Sequence, residues 1–133
     1  MIIADKIILT GLKQLNKPYV FNSPSLQTKT FDCSSFIQYI FRENGIALPR
    51  NSREQYKVGV KITVSNIKKG DLLFFTTKNR SHRKGIEKIG HVAIFLGYNQ
   101  ILHTHRKGKK VVISDLDLYW KKVVIGATRV ISQ

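Results

Sequence analysis

The sequence predicts an α+β fold, with N-terminal helices followed by an antiparallel β-sheet. Two observations carry this expectation. Helical periodicity is confined to the first half of the chain, and runs of β-branched and aromatic residues parted by turn signals fill the second half. Helices come first and strands later, with no βαβ alternation, which argues against a doubly wound parallel sheet. At 133 residues the chain is sized for one domain, expected over residues 1–133, and can bury a core without disulfide staples.

Residues 4–17 carry Ile7, Ile8, Leu12 and Leu15 at helical spacing, and Pro18 is expected to stop that helix because it lacks an N–H and clashes with the preceding turn. Residues 22–30, rich in Asn, Ser, Pro and Thr, read as a loop. The clearest helix covers 33–44. Phe36, Ile37, Ile40 and Phe41 form its apolar stripe, Asp32 supplies an N-cap, and Asn44-Gly45 supplies a stop. Strands are expected at 71–75, 91–97, 100–105, 110–114 and 122–131. Between the first two lies a basic loop, "TTKNRSHRKGIEKIG", at 76–90. No repeat, low-complexity tract or linker interrupts this order.

Charge narrows the partners. Lys and Arg number 23 against 8 Asp and Glu, a net charge of +15. Such a field attracts polyanions: nucleic acid, anionic lipid or acidic wall polymers. The clusters "KNRSHRK" and "HRKGKK" come with no nucleic-acid-binding signature, so nucleic acid is not the expected partner. No stretch approaches the roughly 20 apolar residues of a membrane span. Asp5 and Lys6 interrupt the apolar start "MIIADKIILTGLK", which therefore lacks the unbroken core of a secretion signal.

The single cysteine, Cys33, excludes an internal disulfide. It falls in the first turn of the 33–44 helix, on the side of Phe36, Ile37 and Ile40. It is therefore expected to face inward, among the unpaired N–H groups at the positive end of the helix. That address lowers a thiol's pKa and favours a nucleophilic thiolate, whereas a structural cysteine gains nothing from it. A thiol nucleophile needs a base and an orienting group. His82 lies in the basic loop and reads as solvated surface. His91 opens the apolar strand "GHVAIFLG", where Gly90 lets another backbone approach, and is the best base. The hairpin turn decides which later histidine reaches it. A two-residue turn at Tyr98-Asn99 pairs Ile94 with His103 and puts His103 on the face opposite His91. A three-residue loop pairs Ala93 with His103 and His91 with His105, so both share the His91 face. Spacing favours the longer or bulged turn and leaves His103 and His105 open.

The blocks "FDCSSFIQYIFRENGIALPRNSREQYKVG", "IKKGDLLFF" and "GHVAIFLGYNQILHTH" together resemble the NlpC/P60 family of bacterial cell-wall cysteine peptidases, in the same order, from Pro18 to Thr128. The resemblance implies a papain-like fold, in which the helix bearing the cysteine packs on a sheet bearing the histidine. It implies Cys33 as nucleophile, His91 as base and His103, rather than His105, as the third polar residue. Tyr19 matches the family's Pro-Tyr tyrosine near the oxyanion, and Asp32, Ser34 and Ser52 match positions that line the substrate pocket. The implied reaction is hydrolysis of peptidoglycan stem peptides at the D-γ-glutamyl–diaminopimelate or –lysine bond, through a thioester and without metal or cofactor. The implied place of action is extracellular, periplasmic or wall-associated, and the charge suits anionic wall polymers. Three departures stand out: Ser35 replaces the usual Gly, "VFNSPS" replaces an aromatic-Gly-Gly, and Lys69 replaces a Pro. Rival readings are an amidase, acyltransferase or transpeptidase on the same fold, or a non-catalytic basic module that binds polyanions.

Overall fold

The computed structural model describes residues 2–131; Met1, Ser132 and Gln133, included in the expected domain, lie outside the described residues. Helix α1 (Ile3–Leu12) buries Ala4, Ile7, Ile8 and Gly11. It stops short of the 4–17 span that its apolar spacing predicts. Three-residue turns (Gln14 N–H to Gly11 O, Leu15 N–H to Leu12 O) replace the helix, and Asn16 takes a left-handed φ of 73°. Lys17 precedes Pro18, which disfavours the helical region for it. Leu15 still packs on the core, so its spacing reports burial rather than helix.

Helix α2 (Cys33–Arg42) follows the expected pattern. Its N-terminus carries a capping box: the Asp32 carboxylate accepts from Ser35 N–H at 2.8 Å, and Asp32 N–H donates to Ser35 Oγ at 2.9 Å. The hydroxyl that replaces the family's usual glycine thus closes the helix start. At the other end Gly45, at φ 84°, lets Ile46 N–H reach Phe41 O. Phe36, Ile37, Ile40 and Phe41 are fully buried, worth about 1.5–3 kcal/mol each. A short helix, α3 (Ser52–Gln55), capped by Asn51, was not legible from periodicity.

Six antiparallel strands form one sheet in the order β1-β6-β2-β3-β4-β5: β1 (Val60–Ile62), β2 (Leu72–Thr76), β3 (Ile89–Gly97), β4 (Gln100–His105), β5 (Lys110–Asp115) and β6 (Val124–Arg129). The expected strand at 122–131 begins two residues late, because Lys122 and Val123 close helix α4 (Leu118–Val123), which Asp117 caps through Trp120 N–H. β1 is short and mostly exposed, so it left no apolar pattern. One sheet face, with Leu72, Phe74, Val92, Ile94 and Leu102, packs on α1 and α2. The other, with Leu73, Phe75, Ala93, Phe95 and Ile101, packs on Leu116 and Trp120. A sheet buried on both faces explains the unbroken "LLFF" run.

Two irregularities position the site. Between β2 and β3 the pairing jumps from Phe75–His91 to Thr76–Ile89, leaving Gly90 as the extra residue. A Cβ at Gly90 would lie 2.3 Å from Thr77 Oγ1, so the glycine accommodates a side chain rather than the second backbone expected there. Between β3 and β4 the turn is Tyr98-Asn99, at φ 49° and 60°, closed by Gly97–Gln100. Leu96 then bulges, and the pairing continues as Phe95–Ile101 and Ile94–Leu102. A two-residue turn plus one bulge restores the register of the three-residue loop. Odd-numbered residues of both strands consequently share one face.

Candidate active site

Cys33 is the first residue of α2, at a position whose N–H has no intrahelical acceptor. Backbone groups of Val92, on β3, and of Ser34 hydrogen-bond to its sulfur. The thiol opens into a cavity of about 370 Å³, whose walls include Tyr19, His91, His105 and Trp120. A shallower depression of about 660 Å³ beside β1 and β6 is lined by no cysteine or histidine.

The imidazoles form a chain. His91 Nε2 lies 2.7 Å from His103 Nδ1, and His103 Nε2 lies 2.8 Å from Ser114 Oγ on β5. His103, not His105, bonds His91. His105 instead stacks on the His103 ring, with centroids 5.3 Å apart and planes at 23°. Trp120 stacks on His91 at 5.4 Å and 29° and meets His103 edge-on. His82 is exposed in the 76–90 loop.

Electrostatics overturn one expectation. The helix start lowers the thiol's pKa, but not enough to set it. Burial, followed by the neighbouring Asp32 charge, pushes Cys33 up to about 11, outweighing the N–H groups of Val92 and Ser34. Burial, followed by His105, holds His91 down at about 3, and burial with both neighbouring rings holds His103 at about 2. Burial thus opposes the charged form of both groups, against the thiolate that the helix address favours. Burial, then Cys33, also raises Tyr19.

The other expected pocket residues have different neighbours. Asp32 and Ser34 do not line the cavity. Arg50 binds Asp32 at 2.7 Å, Ser34 Oγ at 2.8 Å and Ser23 O at 2.6 Å, tying the 22–30 loop to the helix start. Ser52 is buried in the first turn of α3, also away from the cavity. The replaced segment "VFNSPS" contributes Phe21, which is 75% exposed, to the cavity rim. Lys69, at the family's proline position, pairs with Asp5 at 2.6 Å.

Sequence reasoning missed Arg50, Ser114 and Trp120. Arg50 lies inside the first quoted block, two residues before the serine chosen instead. Ser114 alternates with Val112, the partner of His103 in the β4–β5 pairing, so a strand register would have exposed it. Trp120 is the chain's only tryptophan, hidden because 118–123 was split between loop and strand.

The sequence model of the NlpC/P60 family matches residues 16–129. The chain belongs to the NlpC/P60 family. A gamma-D-glutamyl-L-lysine dipeptidyl-peptidase of Bacillus subtilis is 33% identical over 131 residues, covering 98% of this chain and 42% of that relative. The chain thus spans less than half of that protein's length. Among solved NlpC/P60 structures, the peptidoglycan hydrolase RipB of Mycobacterium tuberculosis superposes with a TM-score of 0.84 at 27% identity, over 98% of this chain and 66% of that one. RipD of the same organism, described as a non-catalytic NlpC/p60 domain protein adapted to peptidoglycan binding, gives 0.80 at 28% identity, over 98% and 99%. No helix among the described residues is long and apolar enough to cross a membrane.

Proposed function

We propose that this chain is a single cysteine endopeptidase domain, residues 1–133, that hydrolyses peptidoglycan stem peptides at the cell wall, at a γ-D-glutamyl bond to diaminopimelate or lysine. The observation that carries the reading is the Ser114–His103–His91 chain ending at the cavity that exposes Cys33. The names of the dipeptidyl-peptidase and of RipB support the substrate class. RipD argues that the fold alone does not confer activity, so activity is assigned to these residues and not to the architecture.

Proton accounting gives the roles. If His103 Nε2–H donates to Ser114 Oγ, then His103 Nδ1 accepts from His91 Nε2–H, and His91 Nδ1 keeps a lone pair. Only this tautomer set makes His91 a base. The thiol proton passes to His91 as sulfur attacks the scissile carbonyl, forming the C–S bond and an oxyanion. Cys33 N–H and the Tyr19 hydroxyl are the donors for that oxyanion. Collapse expels the amine, which takes the proton back from His91. Water, deprotonated by His91, then attacks the thioester and releases the acid and the thiol. Asp32 and Ser34 act on this site indirectly, through Arg50, by fixing the helix start and the loop beside it.

Digestion of purified muropeptides, read by mass spectrometry, tests the reading. Cys33→Ala should fold normally by circular dichroism and lose about a thousandfold or more in rate. Equal cutting by Cys33→Ala and wild type would overturn the assignment. Amine acceptors outcompeting water would favour a transpeptidase.

A further inference from the structure

The positive charge of the chain is concentrated in two segments. Residues 76–90 and 105–110 hold nine Lys and Arg against one acid, Glu87, so nine less one, or +8, of the net +15 falls within them. The fold brings both to one place. Lys78, Arg80 and Arg83 from the first segment and Arg106 and Lys107 from the second stand at the Cys33 cavity. Lys84, Lys109 and Lys110 continue the two segments as exposed residues. Glu87 is shared between Arg80 (3.5 Å) and Arg83 (3.7 Å), and Arg80 Nη1 also donates to Glu87 O at 3.0 Å, which folds the loop on itself. Arg53 of α3 pins the far end of the loop by donating to Ile89 O at 2.9 Å. Asp5, Asp32, Glu54 and Asp71 pair with cations outside both segments. A cluster of like charges held in place repels itself; a polyanion relieves that repulsion and has little left to order.

The residues between the charges narrow the kind of polyanion. Neither segment contains Phe, Tyr or Trp, the platforms on which the bases of a single strand stack. Their apolar residues, Ile86 and Ile89, pack on the core, so the segments offer little to a lipid surface, which takes up an apolar face. The guanidinium groups among the cations match phosphate oxygens in geometry.

We infer that residues 76–90 and 105–110 form one docking surface for a flexible polymer of repeating phosphodiesters, without bases or acyl chains, carried by the cell wall. The polymer holds the domain on the wall while the cavity between the segments stays the place of chemistry. The surface is independent of what Cys33 does; the choice of a wall polymer rests on the proposed cell-wall reading.

The test uses the full chain carrying Cys33→Ala. Its retention on purified walls rich in glycerol-phosphate polymer is compared before and after acid removal of the phosphodiesters, and soluble poly(glycerol phosphate) is titrated calorimetrically at low salt. Stripped walls should retain about tenfold less protein, and added salt should erase the difference. Lys84→Gln/Lys109→Gln/Lys110→Gln, outside the described cavity lining, should weaken binding of the soluble polymer about tenfold through three lost exposed ion pairs. Lys6→Gln/Lys13→Gln/Lys68→Gln, with the same net charge but outside both segments, should weaken it less than twofold. Equal losses in the two variants would assign binding to total charge and overturn the surface. Equal retention by stripped walls, or tighter binding of single-stranded nucleic acid or of anionic vesicles at matched charge, overturns the inference too. Wild-type cleavage of a soluble stem peptide is read separately. Docking without cleavage would leave the surface standing and sink the peptidase; cleavage without docking would do the reverse.

Discussion

The two halves of the site are encoded in different ways. The thiol end is local: Asp32, Cys33 and Ser35 are neighbours in sequence, and their capping box forms wherever that helix forms. The imidazole end is distributed. His91, His103, Ser114 and Trp120 come from three strands and a helix, and two bulges hold them together. The thiol end should therefore respond to substitution through helix stability. The imidazole end should respond through geometry.

After the loss at Cys33 itself, the largest expected effect tests the distributed end. His103→Ala should lower kcat by about a hundredfold, because His91 loses the partner that fixes its tautomer, whereas His105→Ala should cost only a few-fold. Steady-state kinetics on a soluble peptide decides it, and a larger loss at His105 would transfer the third role to that ring. The local end is tested by Asp32→Ala, which removes the cap and strands Arg50. It should cost about 2 kcal/mol in denaturant unfolding, and an unchanged midpoint would refute the structural role.

Acid should separate the two ends further. His91 and His103, held at about 3 and about 2, remain neutral in the folded protein, while in the unfolded chain they protonate below their ordinary value of 6.5. The unfolded state therefore binds more protons below that value, and stability is lost as pH falls from 6.5 towards 3. A drop in Tm of about 5–10 °C by pH 4 is expected. A His103→Gln variant should lose less over the same range, and an identical acid profile would remove the buried rings from the explanation.

The smallest effect belongs to Ser114. Ser114→Ala should lower kcat about 3–10-fold with little change in KM, and Ser114→Thr should restore it. Nitrogen-15 shifts of the His91 ring should show loss of the single Nε2–H tautomer in the alanine variant. A pure single tautomer there would confine Ser114 to packing.

Some expectations survived folding and some did not. The 33–44 helix and four of the expected strands, at 71–75, 91–97, 100–105 and 110–114, agree within two residues, because each carries its own periodicity and stop signals. The 4–17 helix was overextended, since apolar spacing continues through Leu15 while the backbone turns before Pro18. The start of β6 was misread because Trp120 packs beneath the histidines, a tertiary event that makes helix of residues whose local preference is strand. Ser52 was read as a pocket residue for its place in a motif and lies away from the cavity, whereas Arg50, two residues earlier, ties the 22–30 loop to the helix start.

What the sequence determined by itself is the order of elements, the capped helix start at Cys33 and the excess of positive charge. These follow from propensity, capping and composition, which act over a few residues or over none. Spacing left His103 and His105 open and the family resemblance favoured His103; the tertiary structure bonds His103 to His91, adds Ser114 and Trp120 to the group, and raises the buried thiol's pKa. Those outcomes depend on strand register and on exclusion of water, and neither exists until distant segments have packed.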